Sequence, residues 1–343
     1  MTEVIKNSLY VMTAGSSLHL DHDAVRVYHP DNEPRRLPLI HLDHIVVFAG
    51  VTITDDLMRR CAADQRPVTW LSGNGRFQAR VIGPQGGNPL IRVAQHDALR
   101  DPPRQLTLAR SFVAGKLQNT RQILMKAAAD ATDDPQRRLR DSAATIAEDL
   151  TKLPNASDLN IILGIEGQGA RRYVSRWPDL IASHSQIHAP AGRTSRPPTD
   201  PVNAALSFGY GMLRIAVHGA LEHIGLDPYI GYLHAIRPGK PALALDLMEE
   251  MRQLLVDRLV FTALNRRQLQ PQHFTQRPGG AYELNEEGRR TYLSLWSEAR
   301  RRPWPHRHLG RKIPAALLPF IQARLLARHL RGDTAHYIPW TPA

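Results

Sequence analysis

Up to about residue 95 the apolar positions come in short runs, and several alternate with polar ones. Leu9-Tyr10-Val11, Ser17-Leu18-His19-Leu20, Ala24-Val25-Arg26-Val27-Tyr28 and Ile45-Val46-Val47-Phe48 read as strands, several with the period of two that half-buried strands show. Val68-Thr69-Trp70-Leu71 and Phe77-Gln78-Ala79-Arg80-Val81-Ile82 read the same way. Turns are predicted at Asp31-Asn32-Glu33-Pro34 and Gly73-Asn74-Gly75. One helix interrupts, with Thr54 as its N-cap and Asp55 to Cys61 as its body. Gly83 to Gly87 is a turn and not a phosphate-cradling loop, because no Gly-Lys-Ser/Thr follows.

Paired prolines at Asp101-Pro102-Pro103 end this pattern and predict a linker. Beyond them the period becomes helical. Leu106, Ala109, Phe112, Val113, Leu117, Ile123 and Leu124 fall at helical spacings over 104–127. Further helices are expected over 139–153, 160–173, 203–224, 286–302 and 314–330, with a break at 131–135 and an irregular stretch at 178–200. The predicted fold is α+β. A small β-rich domain (1–98) is joined by a linker (99–104) to a larger all-α domain (105–343).

Composition narrows the function classes. The chain has 343 residues, and its formal charge of +12 favours an anionic partner, of which nucleic acid is the usual one. No run approaches the apolar length of a membrane-spanning helix, so no membrane partner is expected. The N-terminus lacks a secretion-signal pattern. Cys61 is the only cysteine, which excludes an intramolecular disulfide and a cysteine zinc cluster. The expected location is the cytoplasm.

The densest candidate chemistry lies between Gly231 and Arg252, GYLHAIRPGKPALALDLMEEMR. His234 sits on a short turn, Pro238, Gly239 and Pro241 break the chain, and a helix follows. Asp246, Glu249 and Glu250 share one face of that helix, at i, i+3 and i+4. One imidazole near several carboxylates can hold Mg²⁺ or Mn²⁺. The same helix also reads as an ordinary amphipathic one. Leu247, Met248, Met251, Leu254, Leu255 and Leu259 would then pack inward, with the acids on a solvated face. His218 and Glu222 form a rival pair one turn apart. His184 and His188 lie in a Pro- and Ser-rich loop without a carboxylate at ligand spacing.

Here the sequence resembles the CRISPR-associated endonuclease/integrase family of spacer acquisition. LDPYIGYLH ending at His234 and ALALDLMEEMR around Glu249 match its active-site signature. LGIEGQGARRY around Glu166, RPPTDPVNAALSFGYGMLR from Arg196 to Arg214 and QARLLARHLRGD near the end match as well, in family order.

The resemblance implies that Glu166, His234 and Glu249 are the catalytic metal ligands. Asp246 and Glu250 would stand nearby, to bind a second ion or orient water. It implies a β domain that builds a homodimer, double-stranded DNA as substrate, and a small ferredoxin-like CRISPR-associated partner bridging two dimers. Arg171, Arg172, Arg196, Arg237, Lys240 and Arg252 are the expected DNA contacts, with Lys240 where the family more often has Arg. From its residues alone, the basic run Arg300 to Lys312 reads as a further phosphate contact, with Trp304 able to stack on a base, and otherwise as a solvated linker. Two other readings stay open: a structure-selective repair nuclease, and a basic DNA-binding scaffold without a live site.

Overall fold

The computed structural model describes residues 7–73, 75, 77–84 and 88–342. It is an α+β fold in two compact units, Met1–Gly87 and Asn88–Ala343. Among the described residues no helix is long and apolar enough to cross a membrane.

The first unit holds two four-stranded sheets. Strands β1 (Asn7–Val11), β2 (Ser17–Asp21), β3 (Ala24–His29), β4 (Asn32–Pro38), β5 (Leu42–Phe48), β6 (Thr52–Ile53), β7 (Val68–Leu71) and β8 (Phe77–Val81) pair as β1-β5-β7-β8 and β4-β3-β2-β6. Helix α1 (Asp55–Ala63) precedes β7. Val11, Leu18, Val25, Leu39, Ile45, Leu57 and Cys61 belong to one core cluster, so the alternation in the sequence reports the faces correctly. The turn expected at Asp31 to Pro34 is shorter than predicted. Asn32 already begins β4, and Pro34 is tolerated there because β4 is an edge strand beside a register shift in β3. Asn74 and residues 85–87, which carry parts of two predicted turns, lie outside the described residues.

In the second unit come α2 (Pro89–Arg100), α3 (Pro102–Asp130), α4 (Asp133–Lys152), α5 (Leu159–Val174), α6 (Trp177–Leu180) and α7 (Pro201–Ile224). Residues 99–104 are therefore not a free linker. They hold the end of α2, the cap Asp101 and the start of α3, since prolines fit a helix's first turn. The start of α2 carried a readable signal that the strand reading missed: Asn88 caps Leu90 N, with Pro89 at the first helical position. Likewise Pro135 does not break the chain but lies in the first turn of α4.

The segment after Pro241 is not one straight helix. Helix α8 (Ala242–Met248) gives way to a turn, then a π-helical stretch (Arg252–Asp257), then α9 (Arg258–Asn265). Such wide turns often mark functional positions. Short strands β9 (Phe274–Gln276) and β10 (Tyr282–Leu284) pair antiparallel. Helix α10 (Glu286–Arg301), the hairpin β11 (Pro303–His306) and β12 (Arg311–Pro314), and α11 (Leu318–Leu330) complete the unit. The basic run is thus largely a β-hairpin. Trp304 is buried, edge-on to Trp340 at 5.4 Å and beneath the Arg258 guanidinium at 5.1 Å, so it is not available to stack on a base.

Candidate metal centre

Three stretches of the second unit meet at the site: α3, the middle of α5, and the chain from Gly231 to Asp257. Glu166 lies within α5, not at a helix end. Gly169 is what lets α5 lie close to α3, because a Cβ there would stand 2.4 Å from Leu117 Cδ2. The residue before Leu117 on α3, Lys116, is 7 % exposed and ion-pairs with Glu166. Its Nζ also lies 2.6 Å from Glu249 Oε2. Two carboxylates from distant parts of the chain therefore face one cation.

The histidine loop is clamped from both sides. Buried Gln95 of α2 donates to Asp227 O and Ile230 O and accepts from Asp227 N. Asp246 is fully buried. Its Oδ2 accepts from Tyr232 N (2.6 Å) and Leu233 N (3.0 Å), and its Oδ1 from His234 N (2.9 Å). His234 Nδ1 lies 2.7 Å from Oδ1. An ionised carboxylate can only accept, so Nδ1 carries a hydrogen, and in the neutral imidazole the lone pair is then on Nε2. That nitrogen stands 4.0 Å from Glu249 Oε1. Asp246 is thus the group that aims the imidazole.

Glu249 is 2 % exposed and also accepts from Arg252 Nη1 at 2.6 Å. Burial alone would raise its carboxyl, but Arg252, Lys116 and His234 together bring it down to about 2. A carboxylate whose folded pKa lies below its unfolded value stabilises the fold above the unfolded pKa, near 4.5, and loses that contribution as pH falls towards 2. The stability gap between the wild type and Glu249→Gln is therefore expected to be constant above about pH 5 and to close on acidification. Denaturant titrations at stepped pH read this directly. A gap that widened on acidification would contradict the assignment.

The predicted acidic face is not solvated: Asp246, Glu249 and Glu250 are all buried. Nor do the three serve one site. Glu249 and Glu250 lie in the turn after α8, and Glu250 points away from His234 towards Tyr337, Gln322 and Trp340. Glu250 is therefore not placed to bind a second ion or orient water at this centre.

Of the expected DNA contacts, Arg171, Arg196 and Arg237 are exposed and Lys240 partly so. Arg172 is instead committed to buried Asp149. Arg252 stacks on Tyr210 at 4.3 Å, with Arg193 on the same ring at 5.3 Å. The rival pair His218 and Glu222 does meet on α7, Nε2 to Oε1 at 3.2 Å. Lys116 and Gln95 were missed by sequence reasoning, since neither stands near a motif in the chain.

Among the described residues no three His, Cys, Asp or Glu side chains are gathered tightly enough to hold an ion as they stand. The donor chemistry nevertheless suits a divalent cation. Two carboxylates already share one cationic group, and an imidazole nitrogen with a fixed lone pair lies beside them.

The model of the family described as CRISPR associated protein Cas1 matches residues 9–298. The chain belongs to the Cas1 family. A CRISPR-associated endonuclease Cas1 of Moorella thermoacetica is 42 % identical over 338 residues, covering 98 % of each chain. One from Rhodospirillum rubrum is 41 % identical over 339 residues, covering 97 % of this chain and 98 % of that one. As a Cas1-family member this chain is a CRISPR-associated nuclease. The fold also matches solved structures at 22 % identity. A Cas1 protein of Thermotoga maritima has a TM-score of 0.79 (98 % of this chain, 100 % of that one). A casposase bound to integration product has a TM-score of 0.82 (98 % and 94 %). A chain of a Cas6-RT-Cas1–Cas2 complex has a TM-score of 0.81, with all of this chain matching 37 % of that one.

Proposed function

We propose that this Cas1-family nuclease cuts and joins DNA at one centre, where Glu166, Glu249 and His234 Nε2 hold a Mg²⁺ or Mn²⁺ ion. The observation that carries the reading is the convergence of both carboxylates on one cationic position beside an imidazole that Asp246 orients. The single imidazole tilts the choice of ion towards Mn²⁺. When bound, the ion neutralises the anionic phosphodiester and stabilises the entering and leaving oxygens. The chain's own groups do the rest. Glu249, held near 2, needs no deprotonation at working pH. Arg252 keeps Glu249 turned towards the site, and exposed Arg237 with Lys240 just beyond His234 is placed to grip the adjoining phosphates. Attack by water cleaves the strand. Attack by the 3′-hydroxyl of an incoming DNA end forms a new phosphodiester as the target strand's own P–O3′ bond breaks and its oxygen leaves, with a proton, as a free 3′-hydroxyl.

The substrate in this reading is double-stranded DNA inserted into a CRISPR repeat array. The casposase solved with its integration product and the neighbour solved within a Cas1–Cas2 complex support that choice. The β-rich unit forms the homodimer, and a small ferredoxin-like CRISPR-associated protein bridges two dimers.

The test is strand transfer of a labelled short duplex into a supercoiled plasmid bearing a repeat array, with the small partner present. Joining with Mn²⁺ or Mg²⁺ is expected, lost in chelator and in His234→Ala. Nicking without joining would favour a repair nuclease. Equal behaviour of the wild type and the variant would leave a DNA-binding scaffold.

A further inference from the structure

Glu250 is fully buried beside the candidate ligand Glu249, yet takes no part in the site. Its carboxylate is filled by the C-terminal segment and α11. Oε1 accepts from Tyr337 Oη (2.8 Å) and Gln322 Nε2 (3.0 Å), and Oε2 from the main-chain Trp340 N (2.7 Å). Gln322 Nε2 also reaches Tyr337 Oη (2.9 Å) and Ile338 O (3.2 Å). From α3, Asn119 Nδ2 donates both to Glu250 O (2.6 Å) and to Trp340 O (2.8 Å). At Gly115 a Cβ would stand 2.7 Å from Pro339 Cβ and 3.0 Å from Glu250 Cβ, so the tail lies directly on α3 beside Lys116.

The tail therefore ties together two pieces of chain that present the site: α3 with Lys116, and the turn with Glu249. We propose that the C-terminal segment is a positioning element of the active site, in which Tyr337, with the main chain at Trp340, grips Glu250 and so fixes the turn that aims Glu249. The residues act through Glu250 and touch neither ion nor DNA. The inference rests on Glu249 being a ligand. Its physical basis is that one buried carboxylate accepting from several donors cannot rotate without leaving those donors unpaired. Groups that orient ligands in this way typically change metal affinity 10- to 100-fold when altered.

The experiment compares full-length wild type, Tyr337→Phe and Trp340→Phe. Phe at 337 keeps the ring that packs on Phe112 at 5.4 Å but removes the donor to Glu250. Phe at 340 removes the indole N–H bond to Pro305 O yet keeps the main-chain N–H that Glu250 uses. Mn²⁺ binding is titrated by electron paramagnetic resonance, alongside melting temperature, duplex binding in chelator, and kcat and KM for joining. Tyr337→Phe is expected to weaken Mn²⁺ binding about 10-fold and lower kcat, with KM and duplex binding unchanged. Trp340→Phe is expected to lower the melting temperature, with a smaller fall in Mn²⁺ affinity than Tyr337→Phe shows. Unchanged Mn²⁺ affinity in Tyr337→Phe would overturn the proposal. So would a loss in both variants that merely tracks melting temperature. A Glu249→Ala arm separates the premises: if that variant binds Mn²⁺ like the wild type, the ligand reading fails before the tail is at issue.

Discussion

Glu249→Ala is expected to lower both cleavage and joining by about 10³-fold or more while leaving DNA binding in chelator no weaker than wild type. The first half follows from the loss of a proposed ligand, whose ion would supply several kcal/mol of charge stabilisation, at about 1.4 kcal/mol per tenfold in rate. The second half follows from what surrounds the side chain. Glu249 lies against Lys116 and Arg252, and its removal exposes positive charge that phosphates attract. Single-turnover rates with saturating Mn²⁺, set beside filter binding in chelator, measure both. Loss of DNA binding in parallel with activity would mean that Glu249 supports the DNA surface and not the chemistry. Retained activity would remove it from the site altogether.

Asp246→Asn is the sharper test of how the site is aimed. The substitution keeps shape and removes charge. In the wild type, four donors face two oxygens: three main-chain N–H groups and the His234 Nδ1–H. An amide offers one oxygen and one NH₂. Turned so that its oxygen keeps Tyr232 N and Leu233 N, it directs N–H towards His234, leaves His234 N without an acceptor, and favours the imidazole tautomer protonated on Nε2. That nitrogen then has no lone pair for an ion. Metal affinity is expected to fall about 10- to 100-fold, and folding stability by about 1–3 kcal/mol for the orphaned buried N–H. A shift in the His234 ring nitrogen resonances would report the tautomer. If the variant bound Mn²⁺ normally, His234 would not be the ligand that Asp246 orients.

Much of this was readable in the chain. The period of two up to residue 82 and the helical period beyond 104 gave the α+β class, because burial on one face leaves its spacing in the sequence. His234, Glu249 and Glu166, singled out through the motifs of the family resemblance, are brought to one place by the fold. The boundary was less so. Asp101-Pro102-Pro103 looks like a break, but a capping aspartate before prolines is also how a long helix starts. Trp304 and Arg172 were misjudged because exposure depends on what lies across from a side chain, and Trp340 and Asp149 are far away in sequence.

The sequence by itself determined the class of fold, the family signature, and which residue types supply the chemistry. Local periodicity and motif spacing encode these, and neither needs long-range contacts. Only the tertiary structure separated the three acids that the sequence spacing placed on one helix face. Asp246 turns to the His234 loop, Glu249 to Lys116 and Arg252, and Glu250 to the C-terminal segment. Lys116 stands 50 residues from Glu166, and Trp340 N 90 residues from Glu250. Spacing along a helix fixes the direction in which a side chain leaves it, and the partner it meets there is fixed by packing between segments remote in sequence.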